Sequence, residues 1–217
     1  MRRAILVILA AIVGIVALFL IVVALQPSEY HVTRTTTIDA APAVVFAHVN
    51  DFHKWDDWSP WAKLDPDVKA TYQGPDDGEG AVFRWAGNDK VGEGSMTIVE
   101  SKPHERIDIE LEFIKPMEGK ADVDFQFEPQ GDQTVVTWGM HGKNDFVGKA
   151  FCLFMDMDAM IGGDYEQGLA NLKRAVEEAE EAEAKIGGAS DSQGDSSKTS
   201  DAAGGKVNTE KSNGDDT

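Results

Sequence analysis

The stretch RIDIELEF, Arg106 to Phe113, decides the fold of this 217-residue chain, because apolar and charged side chains alternate along it without interruption. An alternation of period two puts successive side chains on opposite faces of a β-strand. One face is then buried and the other meets water, which is typical of an antiparallel sheet covered on one side. The stretch therefore predicts a half-buried strand of an antiparallel sheet.

Six other segments have strand patterns, and turn residues separate several of them. In chain order they are His31–Ile38, Val68–Tyr72, Ala81–Ala86, Gly92–Val99, Val123–Phe127 and Thr134–His141. The glycines at the start of Gly92–Val99 predict a β-bulge there.

Two short helices are predicted between the first and second strands. Pro42 suits a first helical turn, and the apolar residues that follow it have helical spacing. The second helix is predicted over Asp51–Ala62, ending near Pro60, with Trp55, Trp58 and Trp61 spaced three residues apart.

The C-terminal part predicts two more helices. An apolar stripe that includes Phe146, Phe151, Phe154 and Met155 predicts a helix facing inward. Gly162 and Gly163 predict a break, after which Asp164 would cap a long helix. The inner stripe of that helix begins at Tyr165 and ends at Val176.

Three motifs now point to a known family. They are Ile38-Asp-Ala-Ala-Pro42 before Val45-Phe46, the run Asp51-Phe-His-Lys-Trp-Asp-Asp-Trp-Ser-Pro-Trp61, and Gly163-Asp-Tyr-Glu-Gln-Gly-Leu169 before Leu172-Lys173. With this order of elements, the chain resembles the SRPBCC superfamily, the START-like and Bet v 1-like proteins that include polyketide cyclase/dehydrase and lipid transport proteins. The resemblance covers about Glu29 to Val176. It implies an α+β helix-grip fold, in which a curved antiparallel sheet surrounds a long C-terminal helix and a hydrophobic cavity lies between them.

The N-terminus carries an unbroken apolar run from Ala4 to Leu25, preceded by Arg2 and Arg3. About 20 apolar residues can cross a hydrocarbon core as a helix, and basic flanking residues favour a cytoplasmic N-terminus. The run predicts one transmembrane helix, with an extracytoplasmic domain behind it. A cleaved signal peptide is the alternative, but its apolar region is usually about 7–15 residues long.

Composition excludes several classes of function. The formal net charge is −18, so the chain should repel nucleic-acid phosphates. The five histidines are scattered, and no metal-ligand spacing, phosphate-binding glycine loop or nucleophile elbow occurs. We therefore expect no nucleic-acid partner, metal, cofactor or catalytic residue. The lone Cys152 is predicted to be a buried small hydrophobe.

Large apolar side chains, aromatic ones above all, are the main candidates for a ligand site. Trp58 and Trp61 are predicted to frame the cavity mouth, since the resemblance places them near it. The full set of predicted ligand-binding residues is Trp55, Trp58, Trp61, Phe83, Trp85, Met96, Leu111, Phe113, Phe125, Trp138, Met140, Phe154, Met155, Asp158 and Tyr165.

Two polar residues have alternative interpretations. Asp158, one turn beyond Phe154, is either a carboxylate at the cavity wall with a raised pKa or a helix-end residue turned to water. His141, near a strand end, is either a base or a satisfied surface histidine.

Four segments follow from these patterns: an anchor (1–27), a helix-grip domain (28–176), an acidic helix extension (177–186) and a polar tail (187–217) predicted to be disordered. We expect a membrane-anchored domain that binds a small hydrophobic molecule or lipid. The alternatives are an enzyme of the cyclase, dehydratase or hydrolase type, and a protein-interaction domain with a filled core. The absence of a local catalytic motif favours binding over turnover; the oligomeric state stays open.

Overall fold

A seven-stranded antiparallel sheet forms the centre of the computed structural model, which describes residues 2–194. Its strands are β1 (Glu29–Ile38), β2 (Lys69–Gln73), β3 (Val82–Ala86), β4 (Glu93–Lys102), β5 (Arg106–Lys115), β6 (Gly119–Gln130) and β7 (Gln133–Lys143). Their order across the sheet is β1-β7-β6-β5-β4-β3-β2. All seven predicted strands are confirmed, and the register of β4 shifts between Glu93 and Gly94, where the bulge is predicted.

Helices precede, interrupt and follow the strands of this open, curved sheet. They are α1 (Arg2–Ala24), α2 (Pro42–Val49), α3 (Trp55–Trp58), α4 (Phe146–Cys152) and α5 (Met157–Gly194), with a 3₁₀ turn at Phe52–Lys54. The single helix predicted over Asp51–Ala62 is therefore two short turns, the first capped by the Asp51 carboxylate, which accepts from the His53 N–H at 2.9 Å.

α5 corrects the prediction of a helix break. It begins at Met157, where the carboxylate of Asp156 accepts from the Ala159 N–H at 3.1 Å, and it continues through Gly162, Gly163 and Asp164. Asp164 is consequently not an N-cap. Glycine lowers intrinsic helix stability by about 1 kcal/mol, but a Cβ at Gly162 would collide with the guanidinium of Arg34. The packing of Arg34 against α5 therefore favours glycine at position 162, despite the low helix propensity of glycine.

The C-terminal end of α5 also departs from the expected boundaries. Residues 181–194 belong to a second compact unit, separate from residues 2–180. There, Lys185 Nζ lies 3.3 Å from Glu181 Oε2. The helix extends to Gly194, past the start of the predicted disordered tail at residue 187, because an existing helix needs no new nucleus to elongate. The rest of that predicted tail lies outside the described residues.

The hydrophobic core lies on the concave face of the sheet. β5, β6 and β7 supply alternate residues to it, among them Ile109, Val123 and Val136, while α2 supplies Val45 and Phe46. From α5 it receives Tyr165, Leu169, Leu172 and Val176, the inner stripe that the sequence predicts. The observed architecture is the α+β helix-grip arrangement.

α1 is long and apolar enough to cross a membrane, with a mean hydropathy of 3.5. A transmembrane helix and a signal sequence both meet this criterion. Most of α1 is exposed, but Val23 near its C-terminal end is fully buried.

Candidate ligand-binding site on the concave face

Tryptophans from two parts of the chain meet at the centre of the concave face. Trp55 and Trp58 lie on one turn of α3, with ring centroids 4.7 Å apart, and Trp138 of β7 lies 5.6 Å from Trp58. The indole N–H of Trp55 donates to the Val49 carbonyl at 2.9 Å, which ties α3 to the end of α2. We call Trp55, Trp58, Trp61, Phe125, Trp138 and Tyr165 the tryptophan cluster.

The prediction that Trp58 frames a cavity mouth is wrong. Its side chain has an exposed fraction of 0%, and its indole N–H donates to the His48 carbonyl at 3.2 Å. Trp61 is half-buried, and its ring packs edge-on against both Trp138 and Tyr165. Trp58 is therefore a core residue, while Trp61 lies at the outer side of the cluster.

Trp138 holds the sheet and α5 together. The Tyr165 ring stacks on it, with centroids 3.8 Å apart and planes 14° apart. The absence of a side chain at Gly168 allows this close approach, since a Cβ there would lie 2.7 Å from the Trp138 ring. Burial raises the pKa of the Tyr165 hydroxyl, which stays protonated throughout the physiological range.

The indole nitrogen of Trp138 has no hydrogen-bond partner within the described residues, although the side chain is only 1% exposed. Tyr165 does not serve as the acceptor, because its ring lies over the indole face and the N–H points in the indole plane. An unsatisfied buried donor costs about 1–3 kcal/mol. The nitrogen is enclosed, so a ligand oxygen reaches it only if the surrounding rings move apart.

A second group of apolar residues lies toward the β2 edge of the sheet. Phe83 and Trp85 on β3 stack at 5.8 Å, and Phe113 on β5 lies 6.4 Å from Trp85. Tyr72 on β2 and Met96 on β4 complete the row on either side of Phe83. We call these five residues the aromatic wall. All five are only half-buried, so this part of the concave face is not closed over.

The predicted residues thus separate into three groups. Phe125, Leu111, Met140 and the deeper tryptophans are in the core, and the aromatic wall lies beside it. Phe154 and Met155 lie outside the core, with exposed fractions of 79% and 40%. The apolar stripe of α4 does not face inward as predicted, because an amphipathic pattern does not specify which surroundings its apolar face meets.

Asp158 is held by Arg34, a residue that the sequence analysis did not single out. The Arg34 guanidinium donates to both Asp158 oxygens, at 3.0 and 3.1 Å, and to Glu166 Oε1 at 2.7 Å. These hydrogen bonds lower the pKa of Asp158, so the hypothesis of a raised pKa is wrong. The missed signal was strand parity, because Arg34 lies an even number of residues from Val32 and Ile38 and so shares their face of β1, the concave face.

His141 lies on the opposite, convex face of the sheet. Its Nδ1 is 2.8 Å from His31 Nδ1, and its Nε2 is 3.1 Å from Asp124 Oδ1. His31 Nε2 also hydrogen-bonds to the Thr33 hydroxyl, so this chain of contacts satisfies every ring nitrogen. His141 is a satisfied surface histidine and does not face the concave site. It lines an open groove of about 570 Å³, with Lys120 among its neighbours.

No group of three or more His, Cys, Asp or Glu residues is placed to hold a metal ion in the described part of the chain. Cys152 is partly buried and accepts from the Asn144 side-chain amide at 3.4 Å. The concave face therefore offers mainly apolar contacts, together with one unused indole donor.

Comparison with known proteins identifies the family. Residues 29–177 match the family described as polyketide cyclase / dehydrase and lipid transport. Protein MLL2253 from Mesorhizobium loti is 12% identical, with a TM-score of 0.51 over 69% of this chain and 98% of that one. The KanY protein is 17% identical, with a TM-score of 0.51 over 70% and 99%. These likenesses concern the fold alone.

No curated protein matches the sequence. The family match spans the whole sheet, α2, α3 and the inner stripe of α5, which are the elements that build the concave face. The chain accordingly belongs to the polyketide cyclase / dehydrase and lipid transport family, within the SRPBCC superfamily.

Proposed function

We propose that this protein binds a small hydrophobic molecule or lipid on the concave face of its sheet. The observation that carries the proposal is the aromatic wall, whose rings are half-buried although they adjoin the core. Apolar surface with few polar groups is typical of small-molecule sites. Phe83 and Trp85 offer apolar ring surface, while the Tyr72 ring stacks on His53 with centroids 4.0 Å apart.

The orphan indole of Trp138 supports the same proposal. A ligand with a carbonyl, hydroxyl or carboxylate oxygen would satisfy the N–H that the described residues leave unpaired. To reach the indole from the aromatic wall, such a molecule must displace the buried rings of Phe52 and Trp55, which lie between Phe83 and Trp138. The ligand class is therefore amphipathic, with one hydrogen-bond acceptor.

Two fluorescent probes of similar size test this assignment. 1,6-Diphenylhexatriene has no acceptor, whereas 6-propionyl-2-dimethylaminonaphthalene carries a ketone. Both should bind the chain lacking residues 1–27, and Trp85→Ala should weaken both. Trp138→Phe should weaken only the ketone, by about tenfold, since a hydrogen bond of about 1.4 kcal/mol corresponds to that factor.

Trp58→Phe is the matched control, because it removes an indole N–H whose partner is the His48 carbonyl. It should leave the selectivity between the two probes unchanged. Native mass spectrometry of the gently extracted full chain should also show a co-purifying small molecule. If neither probe binds and the protein has its bare mass, the protein-interaction alternative replaces the binding proposal.

Membrane attachment through α1 is the second part of the proposal, with the N-terminus cytoplasmic and the domain extracytoplasmic. It is supported by the length and hydropathy of α1 and by Arg2 and Arg3 before it. A reporter fused after Thr217 should be active only outside the cytoplasm, and the intact mass should include the apolar segment. Activity inside would contradict the orientation, and loss of residues 1–24 would indicate a signal peptide.

A further inference from the structure

The exposed apolar residues of the domain are concentrated in one short segment. Of the ten exposed large apolar residues after residue 28 in the described chain, six lie between residues 146 and 160, and four are spread elsewhere. The six are Phe146, Val147, Phe151, Phe154, Met155 and Met160. We call them the apolar patch.

The helix that carries most of this patch is turned outward. In α4, Phe146, Val147 and Phe151 point away from the domain, while Cys152 contacts Asn144 on the domain side. The Asp145 carboxylate accepts from the Gly148 N–H at 2.7 Å and fixes where the helix begins. A soluble domain normally turns such a stripe toward its core. This orientation leaves the apolar face largely exposed, although α4 contacts α1.

The position of α1 beside the apolar patch indicates which surroundings the patch meets. α4 contacts α1, and the ring of Phe154 lies 6.5 Å from that of Phe19, centroid to centroid. Phe19 precedes Ala24, the last residue of α1, by five residues, which at 1.5 Å per residue is about 7.5 Å along the helix. Apolar faces of interfacial helices lie about 5–10 Å deep in a membrane. With the bilayer surface placed at Ala24, Phe154 lies at about that depth.

We infer that the apolar patch inserts into the leaflet from which α1 emerges, so that the domain is attached to the membrane at two places. This inference rests on the proposed membrane attachment through α1. The occupant of the patch is the lipid interface, since the patch adjoins a helix of membrane-spanning length. The charged side chains of the same segment, Lys149, Asp156 and Asp158, then meet the lipid headgroups. The consequence is a fixed orientation of the domain above the bilayer.

The opposite end of the β1–β7 ladder lies far from this contact. Glu29 pairs with Lys143 near α1, and Ile38 pairs with Thr134 nine residues along. At about 3.3 Å per residue, the β6–β7 turn is some 30 Å along the ladder from the anchor. Asp132 in that turn therefore provides a control position in water.

Depth-dependent quenching in phosphatidylcholine vesicles tests the inference on the full chain. With Cys152→Ala as background, single cysteines at Phe154, Asp132 and Ile12 each carry an environment-sensitive nitrobenzoxadiazole label. We expect a shallow doxyl-lipid quencher to act on the label at position 154, and a deep one on the label at position 12. Aqueous iodide should quench only the label at position 132.

Phe151→Glu, added to each labelled chain, should move the label at position 154 into water and leave the label at position 12 protected. If the label at position 154 is quenched by iodide while the label at position 12 is protected, the patch inference is overturned and the anchor stands. If iodide also quenches position 12, α1 does not span the membrane, and both the anchor and the patch contact are refuted. Ligand binding at the concave face is measured separately and is unaffected by either result.

Discussion

Trp58→Ala should be among the most damaging single substitutions on the concave face. The ring is fully buried, with Trp55 at 4.7 Å, Trp138 at 5.6 Å and Phe125 at 6.2 Å between centroids. Truncating a buried tryptophan costs about 3–5 kcal/mol, and loss of the hydrogen bond to His48 places this site near the upper end. For a domain of this size, each kcal/mol lowers Tm by about 2–4 °C, so a fall of about 10–20 °C follows.

The measurement is urea unfolding of the chain lacking residues 1–27, followed by far-ultraviolet circular dichroism because the substitution alters tryptophan fluorescence. Trp85→Ala is the matched control, since its ring belongs to the half-buried aromatic wall. It should cost only about 1–2 kcal/mol, because part of its apolar surface already meets water. Equal losses for Trp58→Ala and Trp85→Ala would refute the assignment of Trp58 to a closed core.

Three further results are expected. Gly162→Val should lower Tm because its side chain displaces the Arg34 guanidinium from α5, and a thermal melt equal to that of the unmodified chain would contradict this contact. Asp108→Asn should reduce the loss of folding stability below about pH 4, as measured by urea unfolding at a series of pH values. The Arg106 hydrogen bonds lower the pKa of Asp108 in the folded state. The stabilisation by Asp108 is therefore present above the unfolded-state pKa and is lost as the pH falls through the folded-state pKa. Removal of Gly187–Thr217 should leave Tm nearly unchanged, because its polar composition offers little apolar surface to bury; a large fall would show that this segment packs on the domain.

Strand positions were predictable because period-two alternation is a local property. Ile107, Ile109 and Leu111 had to share one face of β5 whatever their partners were. The inner stripe of α5, from Tyr165 to Val176, was predictable for the same reason. The helix-grip resemblance then supplied the order in which these elements pack.

The positions that sequence misjudged depend on partners distant in the chain. Gly162 and Gly163 resemble a helix break until Arg34, more than 120 residues earlier, packs against α5. Asp158 resembled a candidate base until the same guanidinium made it a stable carboxylate. Local helix propensity does not include such contacts, because they form only when the folded sheet places β1 beside α5.

The local sequence pattern and the tertiary structure determine different properties of this chain, and the burial of individual side chains belongs to the second. The sequence by itself determined that the chain has an apolar N-terminal helix, seven strands and many aromatic residues on the apolar faces of those strands, since periodicity and side-chain chemistry are local. Only the tertiary structure decided that Trp58 is enclosed while Trp85 is half-open, and that the apolar stripe of α4 faces outward beside α1. The physical reason is that the exposure of a side chain depends on which surfaces meet in the folded chain. The hydrophobicity of a residue does not specify which other residues cover it.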